Sequence, residues 1–74
     1  MIVKGRTYIQ LQNELLGKKA RFISDCQLFP NFDVVGKVVK MYMQSGEIIF
    51  EVITNSQKRI KIGSNMSNLS YTLL

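Results

Sequence analysis

The sequence predicts a mainly β fold: a five-stranded antiparallel barrel, closed or nearly closed, preceded by one short helix. Three observations carry that expectation. The hydrophobic period changes from helical to twofold after Gly17. Five short alternating runs then follow one another, joined mainly by tight turns. A chain of 74 residues has room for one domain (1–74, with the helix at 7–16 and the barrel at 18–74), and closure spares so short a sheet a long sticky edge.

The helix is read from "RTYIQLQNELLG". Thr7 is placed to cap it and Gln10 stands three residues on, the spacing of a capping box. Tyr8, Leu11 and Leu15 fall on one face, and Gly17 supplies a left-handed stop. "YIQLQ" also alternates as a strand would, but the cap and the glycine favour the helix. "KKARFIS" is the first strand, with Ala20 and Phe22 on one face and Lys19 and Arg21 on the other. "DCQLFPNFD", broken by Pro30, is a loop with three large apolar residues. "VVGKVVKMYM", "EIIFEVIT" and "KRIKIG" are the next strands, and "SNMSNLS" leads into a last one, "YTLL".

A two-residue turn at Ser45-Gly46 sets the register of the central hairpin. Met43 then faces Ile48, Met41 faces Phe50 and Val39 faces Val52 on the core side, with Lys40 opposite Glu51 and Tyr42 opposite Ile49 outside. A three-residue loop at 55–57 pairs Phe50 with Ile62 and Val52 with Ile60, which sets Glu51 opposite Lys61. Lys40, Glu51 and Lys61 thus form one outer ladder, giving Lys61 a structural role. Arg59 falls opposite Ile53 and Lys58 sits at the turn, neither with an acidic partner.

Composition narrows the function. Hydrophobic residues make up 46% of the chain, enough for one core. There is no histidine, the commonest general base and metal ligand. Cys26 is alone, so it forms no intrachain disulfide and has no partner base. Glu14, Asp25, Asp33, Glu47 and Glu51 are scattered, and neither a glycine-rich phosphate loop nor zinc spacing occurs. The expectation is a protein that is not an enzyme, with no cofactor, no metal and no evident small-molecule substrate. "MIVKGRTYIQ" lacks the apolar stretch of a signal peptide, and no run approaches the ~20 apolar residues of a membrane helix. A cytoplasmic address and no membrane partner are therefore expected.

From Gly17 to Leu74 the chain resembles the SH3-like barrel superfamily, which includes Tudor and KOW-type modules. "GKKARFIS" matches the opening strand, "DCQLFPNFD" the long first loop and "VGKVVKMYMQSGEIIFEVI" the central hairpin. "KRIKIGSNMSNLSYTLL" matches the last strands with an intervening single helical turn. The peptide-binding SH3 groove is lined by Trp and paired Tyr, and this chain has no Trp. A short helix followed by five strands is also similar to the layout of the Sm-like proteins, which form RNA-binding rings.

Binding is what remains. Ten Lys and Arg against five Asp and Glu give a net charge of +5, which suits a polyanion such as DNA or RNA. Lys18, Lys19, Arg21, Lys58 and Arg59 have no acidic neighbour in the register above and are the candidate phosphate contacts. Tyr42, and the loop residues Phe29 and Phe32, are candidate stacking faces. The bland alternative is a solvated basic face with loop aromatics capping the barrel end. Val38, Tyr42, Ile49 and Ile53 point outward in the same register. Val38, Ile49 and Ile53, with Phe29 and Phe32, are thus a candidate interface for a protein partner or a second copy of the chain, unless the helix covers the cluster through Tyr8, Leu11 and Leu15.

Overall fold

Thr7 opens the first element as the spacing requires. In the computed structural model, which describes residues 1–25 and 32–74, α1 runs over Tyr8–Leu15. The Gln10 N–H donates to the Thr7 hydroxyl at 3.2 Å and the Thr7 N–H donates to the Gln10 side-chain oxygen at 3.0 Å, a complete capping box. Gly17, at φ +79°, turns the chain out of the helix. Leu11 and Leu15 are fully buried, and the Tyr8 hydroxyl donates to the Met41 carbonyl at 2.8 Å.

Five strands follow: β1 Lys19–Ser24, β2 Phe32–Gln44, β3 Glu47–Thr54, β4 Arg59–Gly63 and β5 Ser70–Leu73. They form one antiparallel sheet in the order β4-β3-β2-β1-β5. The long β2 is shared, pairing with β1 through its first half and with β3 through its second. Ser45 and Gly46 both adopt positive φ, 53° and 76°, the two-residue turn whose twist matches its strands. Met43 therefore pairs with Ile48, Met41 with Phe50, Tyr42 with Ile49 and Lys40 with Glu51, as predicted. Met43 nevertheless stays exposed near the hairpin tip. The β3–β4 register also follows prediction: Phe50 with Ile62, Glu51 with Lys61, Val52 with Ile60, Ile53 with Arg59.

One correction reorders the rest of β2. Val52 pairs with Val38, not Val39, because a β-bulge between Val38 and Lys40 leaves Val39 as the extra residue. Every residue before the bulge is turned over relative to strict alternation. Val38 enters the core at 0% exposure, and Val39 is left outside at 37%. Gly36 sits just upstream, where a Cβ would come within 2.5 Å of the Ile53 carbonyl oxygen and of a Val52 methyl. A side chain at that position would collide with β3.

The core lies on the inner face of the sheet. Phe22 and Phe50 meet with ring centroids 5.5 Å apart, and Tyr71 packs on Phe22 at 6.4 Å. Val3, Leu11, Leu15, Val52, Ile62 and Leu69 surround them. Residues 64–69 form two successive turns, the Met66 N–H donating to Gly63 and the Leu69 N–H to Met66. They take the place of the single helical turn the resemblance implied.

The sheet is open, because β4 and β5 do not pair with each other. Each edge is managed differently. Residues 1–3 run along β5: the Tyr71 N–H donates to the Met1 carbonyl and the Val3 N–H to the Leu69 carbonyl. On β4, the bonds from Thr54 N–H to Lys58 and from Ser64 N–H to Ile48 fix the ladder, so the backbone groups of Arg59, Lys61 and Gly63 face outward. The edge is five residues long and carries two cations, which discourages addition of another strand. Among the described residues no helix is long and apolar enough to cross a membrane.

Candidate nucleic-acid interface

Alternation assigns the outer face of the sheet once the bulge is taken into account. Lys19 and Arg21 lie on it from β1, and Asp33 and Lys37 from β2 before the bulge. Lys40 and Tyr42 follow from β2 after it, with Glu47, Ile49, Glu51 and Ile53 from β3 and Arg59 and Lys61 from β4. Read across the strands, one row runs Lys19–Lys37–Ile53–Arg59, and the next Lys40–Glu51–Lys61. At about 4.8 Å per strand the four-residue row spans roughly 14 Å.

The arginines and the lysines on this molecule behave differently. All three arginines hold a carboxylate: Arg6 with Glu14 at 2.9 Å, Arg21 with Asp33 and Arg59 with Glu51 at 2.6 Å. The Arg21 pair is bidentate, Nε to Oδ1 at 2.8 Å and Nη2 to Oδ2 at 2.5 Å. The two remaining acids serve turns, Asp25 accepting from the Asn68 amide and Glu47 from the Asn65 backbone N–H. No lysine forms an ion pair among the described residues, which include every charged side chain of the chain. The net positive charge is therefore a lysine charge, and no carboxylate is left over to neutralise it.

These pairs shift the acids in one direction. The hydrogen bond from Arg21 holds the Asp33 carboxyl below its usual value, and Asp33 in turn raises the Arg21 guanidinium. The Asn68 amide lowers Asp25. Glu51, only 7% exposed, is lowered first by the hydrogen bond from Arg59, with Tyr42 and the charges of Arg59 and Lys40 adding to it and burial opposing.

The predicted phosphate contacts are thus divided. Arg21 and Arg59 were expected to lack acidic partners and have them, because a long arginine reaches the diagonal cross-strand neighbour. Arg21 faces Val35 but takes Asp33, and Arg59 faces Ile53 but takes Glu51. Lys61 lies opposite Glu51 as expected yet loses its carboxylate to Arg59. Lys19 is exposed on the outer face. Lys58 alternates with Arg59 and so belongs to the side of Ile60, away from that face. Lys18 precedes β1, exposed, its carbonyl accepting from the Val38 N–H. Tyr42 is half-buried, with the Lys40 ammonium 5.4 Å from its ring centroid.

The predicted protein-facing residues divide as well. Val38 is in the core, turned inward by the bulge. Ile49 is buried at 9% exposure, Ile53 is half-buried, and Phe32 packs partly against the core. Phe29 and Cys26 lie outside the described residues. The helix does not cover the outer cluster, since Leu11 and Leu15 belong to the inner core.

Strict alternation missed Lys37 and Val39, both placed outside by the bulge. The signal was present in "VVGKVVK", where a lone glycine inside a strand pattern marks a bulge or a close backbone approach. The bulge residue Val39 belongs to a cleft of about 310 Å³ that also takes in Lys19, Lys37 and Ile53 of the four-residue row. Its lining joins Lys19 and Lys37, the apolar Val39 and Ile53, Thr54 at the end of β3, and Asn55 and Gln57 in the segment after it. Gln57 holds φ 66°, a left-handed conformation that costs a non-glycine residue about 1–2 kcal/mol. No family model matches the chain, and neither a curated protein nor a solved structure matches it.

Proposed function

We propose that this chain is a small, non-enzymatic binding module of the SH3-like kind that grips the phosphate backbone of nucleic acid with the outer face of its sheet. The observation that carries the reading is the segregation of charge. Every carboxylate is engaged by an arginine or a turn, while Lys19, Lys37, Lys40 and Lys61 stand without ion pairs on one face. Lysine is a point charge without a fixed fork, suited to phosphates met in variable geometry. Such contacts position a nucleic acid without reading its sequence. Contacts by those four lysines would make log K fall with log salt at a slope of about −3 on a single strand. Gel-shift titrations of DNA and RNA over rising salt test this. Binding at low salt with such a slope is expected, and no binding to either at low salt ends the reading.

A second reading, a protein-interaction adaptor, is favoured by the helix packing inward and leaving Val39 and Ile53 on the outer face. Such a protein keeps its partner when Lys19 and Lys37 become Glu and loses it when Val39 and Ile53 become Ser. The opposite pattern rules against it. A ring closed by strand pairing between copies would need both sheet edges free, and residues 1–3 already occupy that of β5. A hexamer or heptamer in native mass spectrometry would restore it, and a monomer disposes of it.

A further inference from the structure

We propose that the cleft beside the β3–β4 turn holds one unpaired nucleotide of a single strand. The phosphate lies between Lys19 and Lys37, the base against Val39 and Ile53, and the base edge at the amides of Asn55 and Gln57. This rests on the outer face being a nucleic-acid surface and states which form of nucleic acid it takes.

Four features converge on that assignment. Lys19 and Lys37 are direct cross-strand partners. The neighbouring Val38 N–H bonds the Lys18 carbonyl, which makes 19/37 a non-hydrogen-bonded pair, the kind in which facing side chains lie closest. Like charges so placed repel, and no carboxylate lines the cleft. A phosphate set between the two ammonium groups removes the repulsion and accepts charge-assisted hydrogen bonds from both.

The rest of the lining is uncharged. Val39, put outside by the bulge, and the half-buried Ile53 give an apolar patch beside the lysines. That patch suits the face of a base and not a second phosphate. Of the polar side chains at the turn, Thr54 is occupied, its hydroxyl sharing a hydrogen bond with Ser56 and accepting one from the Lys58 N–H. The amides of Asn55 and Gln57 bond to no described residue. Each amide offers a donor and an acceptor, the pairing a base edge requires.

The fourth feature is the backbone of Gln57. Gln57 holds φ 66°, where glycine is preferred, and the residue belongs to the lining of the cleft. Ser45 and Asn68 share that conformation, so the strain alone is a turn feature, and only its coincidence with the cleft lining ties it to a ligand. The volume, about 310 Å³, lies at the lower end of the roughly 300–1,000 Å³ of small-ligand sites. It matches one nucleotide, and a base in a duplex, stacked on both sides and with its pairing edge engaged, cannot lay its ring face on Val39 and Ile53.

Fluorescence anisotropy tests the assignment with short labelled homopolymers of each base and a duplex of equal length, at two salt concentrations. The wild-type chain should prefer single strands and discriminate among the homopolymers by about fivefold or more, the smallest effect of one amide–base pairing. Gln57→Gly and Asn55→Ala should lose that discrimination and keep the salt slope, whereas Lys37→Gln should weaken every homopolymer and lower the slope by about one. Gln57→Gly should melt at or above the wild-type temperature, so its effect is not one of unfolding. Equal affinity for duplex and all homopolymers overturns the cleft assignment and leaves the lysine face standing, as does full discrimination retained in both amide variants. Absence of all binding at low salt overturns both.

Discussion

The two faces of β3 are made of the same strand and obey different rules. Inward, Ile48, Phe50 and Val52 join one continuous core with the helix and Phe22. Outward, Glu47, Ile49, Glu51 and Ile53 meet a sheet surface of lysines, one aromatic ring and two arginine-bound acids. The inner face is accounted for by the free energy of burial. The outer face is so only in part: Ile49 is buried there, but the placement of Lys19 directly opposite Lys37 without a carboxylate works against stability. What folding does not explain on a small domain is where a binding role is to be sought.

The two faces differ most at Phe50. It is fully buried, in contact with Phe22 and paired on both sides with core residues. Phe50→Ala should destabilise the chain by about 3–5 kcal/mol, a large share of what so small a domain has. Ile53→Ser, three residues along the strand on the other face, should cost far less. Urea unfolding of the two variants measures the difference, and equal losses would mean that the faces are not distinct.

Charge reversal probes the outer face alone. Lys19→Glu with Lys37→Glu replaces two phosphate contacts by two repulsions, and binding at low salt should fall by about tenfold to a hundredfold, with a shallower salt slope. Melting temperature should hardly move, since no ion pair is broken. A large fall in stability would make the lysine pair part of the fold instead.

How much of this was legible depends on how local each cause is. Thr7 and Gln10 are three residues apart, and Ser45-Gly46 needs only its own backbone, so the helix and the central hairpin followed from the chain directly. The register of β3 and β4 followed because one slip would expose Phe50 and Ile62 together. Val38 was misplaced because alternation was carried through "VVGKVV" without a break, and the bulge, a single extra residue, reversed Lys37 and Val38. Residues 1–3 along β5 join the two ends of the chain, a contact no period reveals. The diagonal arginine pairs and the cleft likewise depend on several strands at once, and only a structure assembles Lys19, Lys37 and Gln57 in one place.

Acid sharpens the contrast between arginines and lysines. Asp25, Asp33 and Glu51 are all lowered in the folded chain from the ordinary 3.8, 3.8 and 4.5. The unfolded chain therefore binds protons first as pH falls. The stability these groups contribute is complete above those ordinary values and is lost as pH drops through the folded values beneath them. Melting temperature should stay level from neutrality down to about pH 5 and decline below. Glu51→Gln should melt lower at neutral pH and show a flatter acid arm. An unchanged acid arm in that variant would mean that Arg59 does not hold Glu51 in solution.

The smallest expected effect compares two turns. Ser45 and Gln57 are both non-glycine residues at positive φ, 53° and 66°, and both should gain from a residue that adopts that conformation freely. Ser45→Asn completes the Asn-Gly pair favoured in a two-residue hairpin, and Gln57→Gly removes the clash of the Cβ with its own backbone. Each should raise stability by about 0.5–1 kcal/mol. The turns then part company: Ser45 lies at the tip of the central hairpin, away from the cleft, and Gln57 lines it. Ser45→Asn should leave binding untouched, whereas Gln57→Gly should weaken base discrimination even as the protein melts higher. A gain in stability accompanied by a loss of recognition at one turn and not at the other is a pattern that scaffold damage does not produce. If both variants bind as the wild type does, the strain at Gln57 belongs to the turn alone.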